Sequence, residues 1–160
     1  MDRMRQPKEV HIFLFRIGKN GYEYGVFQRS DMSYCWQGVC GGVEDNETLE
    51  EAARRELFEE ACIDGKFPLY RLESISYLPD TIVSRKQRAL WGKKVVVIPM
   101  YFFAMPFNGE IKLSKEHTAI QWLPYQEAYD LIYFLDQKIA LYELNEKLER
   151  NLLIQERGVQ

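Results

Sequence analysis

Two apolar runs, Val10 to Ile17 and Tyr22 to Arg29, flank Gly18-Lys19-Asn20-Gly21 near the start of the chain. Rich in β-branched and aromatic residues and broken by turn formers, they predict a β-hairpin. From Thr48 the period changes. At ~100° per residue, Leu49, Ala52, Ala53, Glu56, Leu57, Glu59 and Glu60 fall on one broad arc. Thr48 and Glu51 form an S/T-x-x-E capping box, and strong helix formers follow without Gly or Pro until Gly65. A helix is therefore expected from Thr48 to Ala61. Beyond it the pattern predicts a strand over Arg71 to Leu78, a polar loop over Pro79 to Gly92 and a long apolar strand from Lys94 to Met105. Asn108-Gly109 marks a turn, followed by short strands near Ile111 and over Ala119 to Leu123. Helices are expected over Tyr125 to Leu135 and from Asp136 to about Leu153. In the second of these Ala140, Leu144, Leu148 and Leu152 make an i,i+4 stripe suited to core packing.

The helical arc carries an anomaly: Glu56, Glu59 and Glu60 share the side that bears Leu49, Ala53 and Leu57, so acid faces the core side. Glu56 and Glu60 are i,i+4 neighbours, a like-charge spacing that costs a helix about 0.2–0.5 kcal/mol in water and more when buried. Arg55 stands four residues before Glu59 and can pair with it, but one guanidinium does not neutralise three carboxylates. A divalent cation does. Hard oxygen ligands without His or Cys select Mg²⁺, Mn²⁺ or Ca²⁺. A merely solvated acidic face would not interleave with apolar residues, nor would it explain the glycine pair Gly41-Gly42 just upstream.

The stretch from Gly41 to Ile63, GGVEDNETLEEAARRELFEEACI, resembles the signature of the Nudix hydrolases, G-x5-E-x7-R-E-U-x-E-E-x-G-U, with U a bulky aliphatic residue. Gly41, Glu47, Arg55, Glu56, Leu57, Glu59, Glu60 and Ile63 are in register. Cys62 stands in place of the last glycine. Near a helix C-terminus that position often needs φ > 0, so Cys62 implies mild strain or a different ending. Asn46, where a glycine is common, tolerates the left-handed region. The order of strands, helix, strands and helices is also that of the family. The resemblance implies an α/β fold in which a mixed β-sheet is sandwiched between α-helices, formed as a single domain over 1–160.

Carried over to these positions, the resemblance implies Glu56 and Glu60 as principal metal ligands, Glu59 as a ligand or base beside them, and the Gly41 carbonyl as a further ligand. The stretch from Gly41 to Glu47 is expected as a loop that brings backbone close to the ion. Arg55 would orient the glutamates with Glu47 as its supporting partner, and Mg²⁺ or Mn²⁺ is the implied cofactor. Ser114-Lys115-Glu116-His117, followed by Trp122-Leu123, is similar to the stretch where nucleotide-hydrolysing members bring a loop glutamate to the metal site. That makes Glu116 a candidate ligand or base, while a lone His117 is more often structural. Arg29 resembles the family's phosphate-contacting arginine, to which a bidentate fork is suited. Trp36 and Tyr34 are candidates for stacking on a nucleobase. Arg85, Lys86, Arg88, Lys93 and Lys94 make one loop basic, able to steer a polyphosphate.

Composition narrows the remaining choices. With 160 residues, 46% hydrophobic and 14% aromatic, the chain can bury a sizeable core. A net charge of -3 gives no basic excess for binding duplex nucleic acid, so a small-molecule nucleotide is the expected partner of a monomer or homodimer. Cys35, Cys40 and Cys62 have neither disulfide-framework nor zinc spacing and are expected as free thiols in a cytoplasmic protein. The stretch MDRMRQPKEV lacks the apolar run expected of a signal peptide, and no stretch approaches the ~20 apolar residues expected of a bilayer span. The implied activity is metal-dependent cleavage of a diphosphate linkage in a nucleoside triphosphate or related compound, closest to the dATP pyrophosphohydrolase and dinucleoside-polyphosphate branches. Two alternatives stay open. One is a silent Nudix module that senses a nucleotide or ADP-ribose, although such modules usually lose carboxylates that this chain keeps. The other is an isopentenyl-type diphosphate isomerase, which needs a catalytic cysteine for which Cys40 is poorly placed.

Overall fold

Strand β1 (Arg5–Gly18) is covered on both faces: Val10, Ile12 and Leu14 enter one apolar cluster, and Phe13 and Phe15 enter another on the opposite side. Burial on both faces explains why its sequence is a nearly continuous apolar run rather than an alternating one. The computed structural model describes residues 4–153, and β1 is the axis of its seven-stranded mixed sheet.

Along one edge β1 runs parallel to β6 (Val97–Pro106), with Glu9 opposite Met100 and His11 opposite Phe102. On its other edge it pairs antiparallel with β2 (Gly21–Arg29) over Leu14 to Gly18, and with β4 (Val39–Glu44) over Arg5 to Ile12. The hairpin strands thus part beyond Leu14. The gap is filled by β3 (Trp36–Gln37), which pairs with β2, and by β4, which follows almost at once and pairs with β1. β7 (His117–Pro124) closes the free edge of β2, and β5 (Tyr70–Pro79) lies outside β6.

Helix α1 (Leu49–Ala61) packs Ala52, Ala53, Leu57 and Ala61 on Val10, Ile12, Val39 and Val43. Against the opposite face, α3 (Tyr125–Leu131) and α4 (Leu135–Glu149) set Ala128, Ala140, Leu141 and Leu144 on Phe13, Tyr24 and Phe102. Each large apolar side chain fully buried in these layers contributes roughly 1.5–3 kcal/mol of transfer free energy. The expected α/β sandwich is therefore observed.

Several expectations need correction. Gly41 to Glu44 is not loop but the body of β4, because Glu44 and Gly41 take backbone partners on Arg5 and Val10. The segment after β5 is not an unstructured loop: a 3-10 turn (Asp80–Ile82) and helix α2 (Arg85–Trp91) fold there. Ser84 caps α2 by accepting the Gln87 N–H at 3.1 Å, and the Trp91 indole donates to the Arg5 carbonyl at 2.7 Å. No strand forms near Ile111, and the apolar strand starts at Val97 rather than Lys94. In the α4 stripe Ala140 and Leu144 are buried, but Leu152 lies beyond the helix and is exposed.

Of the two endings that the sequence left open for α1, the strained one is found. Cys62 has φ 56°, in the left-handed region, and its N–H bonds back to the Leu57 and Phe58 carbonyls. Asn46 has φ 67°. A left-handed non-glycine residue carries about 1–2 kcal/mol of strain, against about 0.5–1 kcal/mol of extra chain entropy lost by glycine. Cys62→Gly should accordingly raise stability by about 0.5–1 kcal/mol in urea unfolding, and an unchanged or lowered midpoint would contradict the strain.

Candidate active site

The carboxylate array starts from how α1 is anchored. Thr48 accepts the Glu51 N–H at 3.1 Å while the Glu51 carboxylate accepts the Thr48 N–H at 3.1 Å, closing the capping box and fixing the helix phase. That phase turns Glu56 and Glu60 inward, leaving them 8% and 4% exposed. Glu59 lies at the margin of the arc with its side chain half exposed, so two of the three glutamates expected on the core side are buried there. Glu56 fits because Gly41 on β4 has no side chain. A Cβ at Gly41 would fall within 3.0 Å of the Glu56 carboxylate.

Arg55 ties this array to the sheet. Its guanidinium is bidentate to Glu47, Nε at 2.7 Å and Nη2 at 3.0 Å, and Nη2 also donates to the Gly42 carbonyl at 2.8 Å. Nη1 reaches Glu56 at 2.9 Å and Glu59 at 3.2 Å. Glu47 is itself held by the Glu44 N–H at 2.7 Å. The Glu47 carboxylate is the main reason that the Arg55 pKa rises above its ordinary value. Even so, burial pushes the Glu56 carboxyl up to about 7, with Arg55 opposing and Glu59 and Glu60 adding to the rise. One guanidinium leaves negative charge uncompensated.

Glu60 is met from the other side by the loop before β7. Ser114 Oγ donates to Glu60 Oε2 at 2.5 Å, and His117 Nδ1 stands 3.4 Å from the same oxygen. Burial raises the Glu60 carboxyl, Ser114 opposes, and nearby Glu116 raises it further. The structure thus brings Glu116 to Glu60. His117 is buried, its pKa lowered to about 4 chiefly by desolvation, so its ring is neutral at physiological pH.

Other candidates are placed more loosely. Arg29 lies at the end of β2 beside His117, but its fork is taken by Asp31, Nε at 2.8 Å and Nη2 at 2.6 Å. Trp36 is half-buried against the α3/α4 cluster, and Tyr34 is exposed with its ring 4.9 Å from Tyr133. Arg85, Arg88 and Lys93 line a surface cavity with Asp80. Sequence reasoning missed two residues, Ser114 as a partner of Glu60 and Glu9. Glu9 is a buried carboxylate hydrogen-bonded to Arg5, its pKa raised mainly by burial and further by Glu116. The signal for Glu9 was an acid inside the run Glu9-Val10-His11-Ile12 that both faces of the sheet bury.

Among the described residues no three His, Cys, Asp or Glu side chains converge on one metal-sized point. Arg55 occupies oxygens of Glu56 and Glu59, and Ser114 occupies one of Glu60. The donor set nevertheless suits a hard cation: it is all oxygen, partly desolvated and short of positive charge, with a glycine keeping space beside Glu56.

The NUDIX domain family model matches residues 7–144. The chain belongs to the Nudix family. It is 30% identical over 132 residues to a bis(5'-nucleosyl)-tetraphosphatase [asymmetrical] of Sus scrofa, covering 80% of this chain and 82% of that protein. To an RNA pyrophosphohydrolase of Sphingopyxis alaskensis it is 34% identical over 128 residues, covering 73% and 77%. Among solved structures, a Nudix hydrolase from Listeria monocytogenes superposes with TM-score 0.84 at 34% identity, covering 94% of this chain and 100% of that one. Nudix membership and these relatives make the chain a hydrolase of phosphorus-containing anhydrides.

Two expectations follow for the Nudix array. Glu56 titrates near 7 in the fold and near 4.5 in the unfolded chain, so the unfolded chain releases its proton first as pH rises. Stability contributed by the protonated acid is complete below about pH 4.5 and is lost as pH approaches about 7. Urea unfolding in chelator should show the wild type losing about 1–3 kcal/mol across that window and Glu56→Gln losing less. Gly41→Ala should displace the flexible end of Glu56, keeping the circular dichroism spectrum and lowering hydrolysis by about 10–100-fold.

Proposed function

We propose that this protein hydrolyses a diphosphate linkage in a nucleoside triphosphate or dinucleoside polyphosphate, with Mg²⁺ or Mn²⁺ as cofactor. The observation that carries the reading is the pair of buried carboxylates, Glu56 and Glu60, short of positive charge and braced by Arg55 on one side and the Glu116 loop on the other. The name of the tetraphosphatase relative supports the dinucleoside polyphosphate, and that of the RNA pyrophosphohydrolase relative supports cleavage of a diphosphate linkage, both matched over most of their length.

Glu56 and Glu60, with Glu59 and the Gly41 carbonyl, would hold the cation. Bound there, it supplies charge neutralisation of the diphosphate oxygens and acidification of water. Glu116 or Glu59, both exposed and not enclosed by the core, accepts the proton from the attacking water. Arg55 keeps the glutamates from swinging apart, and Glu47 keeps Arg55 in place. Arg29 exchanges Asp31 for a substrate phosphate, whose oxygens match the same fork. Trp36 and Tyr34, the latter beside Tyr133, offer ring faces for a base. The products are a nucleotide with phosphate or diphosphate from a nucleoside triphosphate, and two nucleotides from a dinucleoside polyphosphate.

The sensor reading is disfavoured by the complete set of box carboxylates. The isomerase reading is disfavoured because burial pushes the Cys40 thiol far above its ordinary range, away from a reactive thiolate. Cys35, Cys40 and Cys62 are all free, which suits a reducing compartment, and no helix among the described residues is long and apolar enough to cross a membrane. We place the protein in the cytoplasm.

Purified protein with Mg²⁺ should release phosphate or diphosphate from nucleoside triphosphates, or split dinucleoside polyphosphates into two nucleotides resolved by chromatography, and should neither hydrolyse nor isomerise isopentenyl diphosphate. Glu60→Gln should lower that turnover by more than about 100-fold, beyond the 10–100-fold typical of groups that only support a ligand. Wild-type rates in a folded Glu60→Gln protein would overturn the assignment.

A further inference from the structure

A helix leaves its last carbonyls without partners from its own backbone. In α1 the Leu57 and Phe58 carbonyls are recovered by the Cys62 and Ile63 N–H groups, through the left-handed Cys62. The Glu60 and Ala61 carbonyls are recovered from elsewhere: Ser114 N–H donates to Glu60 at 3.2 Å and Lys112 N–H to Ala61 at 3.2 Å. The irregular stretch before β7 is therefore fastened to the end of the helix that carries Glu60. On its far side Ser30 N–H donates to the Glu116 carbonyl at 2.9 Å, and Ser30 Oγ donates to the Lys115 carbonyl at 2.5 Å.

Ser114 stands between these two anchorages and uses its hydroxyl in both directions. Oγ–H donates to Glu60 Oε2 at 2.5 Å, while the oxygen accepts the Glu116 N–H at 3.1 Å. A hydroxyl combines donor and acceptor in one small group, as an amide N–H to carboxylate relay requires. Two adjacent carboxylates that are both ionised repel, and a loop side chain is free to move away. The relay from the Glu116 N–H through Ser114 to Glu60 holds the two together.

We propose that Ser114 is a positioning residue: it fixes the orientation of the Glu60 carboxylate and places Glu116 against it, so that cation affinity and turnover depend on one hydroxyl. This rests on the reading of Glu60 as a cation ligand and goes beyond it by naming the group that sets its geometry. A purely structural role in capping α1 resides in the Ser114 backbone N–H, which every side-chain variant except proline retains. The side chain therefore has a separable effect.

The test compares Ser114→Ala, which removes the hydroxyl, Ser114→Cys, which keeps its shape but donates weakly, and Ser114→Thr, which restores the donor. Binding of Mn²⁺ alone is read by electron paramagnetic resonance without nucleotide, and kcat and KM with the best substrate of the panel. Ser114→Ala and Ser114→Cys should weaken Mn²⁺ binding by about 5–20-fold and lower kcat by about 10–100-fold with KM within about twofold, and Ser114→Thr should recover both. Should the alanine variant fail to fold, the cysteine variant carries the comparison. Unchanged Mn²⁺ binding and kcat in a folded Ser114→Ala or Ser114→Cys protein would overturn the proposal, as would a threonine variant as impaired as alanine. A wild type that binds Mn²⁺ yet turns over no substrate would refute the proposed activity instead, and Mn²⁺ binding in the variants would then decide the role of Ser114.

Discussion

The Arg55 guanidinium is the junction on which the site depends. It joins α1 to the loop through Glu47, to β4 through the Gly42 carbonyl, and to the carboxylate array through Glu56 and Glu59. A planar fork is the side chain able to meet a bidentate carboxylate and still reach further oxygens, and lysine could not replace it. Without it, the inward turn of Glu56 would leave a desolvated carboxylate beside β4 stripped of its guanidinium partner.

That junction works because the sheet parts at the right place. β1 and β2 separate beyond Leu14, and the short β3–β4 segment enters the gap, carrying Gly41 and Gly42 above α1. The glycine at 41 then admits the Glu56 carboxylate where any Cβ would displace it. Packing and chemistry share the same helix: Ala52, Ala53, Leu57 and Ala61 hold α1 on the sheet, and this fixes the rotation that aims Glu56 and Glu60. The site's electrostatic strain is borne by the apolar contacts on either side of it. Its remaining negative charge is what the proposed divalent cation would neutralise.

The termini of α1 show two ways of ending a helix. At the N-terminus the solution is local, a threonine and a glutamate three residues apart, and it was legible as a spelling. At the C-terminus half of the solution is local, in the left-handed Cys62, and half arrives from the loop more than fifty residues later. Cys62 could be flagged from its place in the motif. The hydrogen bonds of Lys112 and Ser114 could not, since nothing in a loop sequence states which helix end it will meet. The same limit applies to Arg29, whose fork is occupied by a neighbour two residues away, and to Trp36, whose ring lies against the α3/α4 cluster. Strand β4 was misjudged because Gly41-Gly42 reads as loop by propensity, whereas antiparallel pairing with β1 overrides propensity.

Periodicity, caps and spacing by themselves determined the hairpin, the helix that follows it and the oxygen-only array, and the resemblance of Gly41 to Ile63 to a known signature pointed to the family, because each is written in residues close together along the chain. Which carboxylates became buried, how far their acidity moved, and which distant loop closed on Glu60 were decided only when the sheet and helices packed. Burial and through-space charge depend on neighbours that the chain order does not reveal.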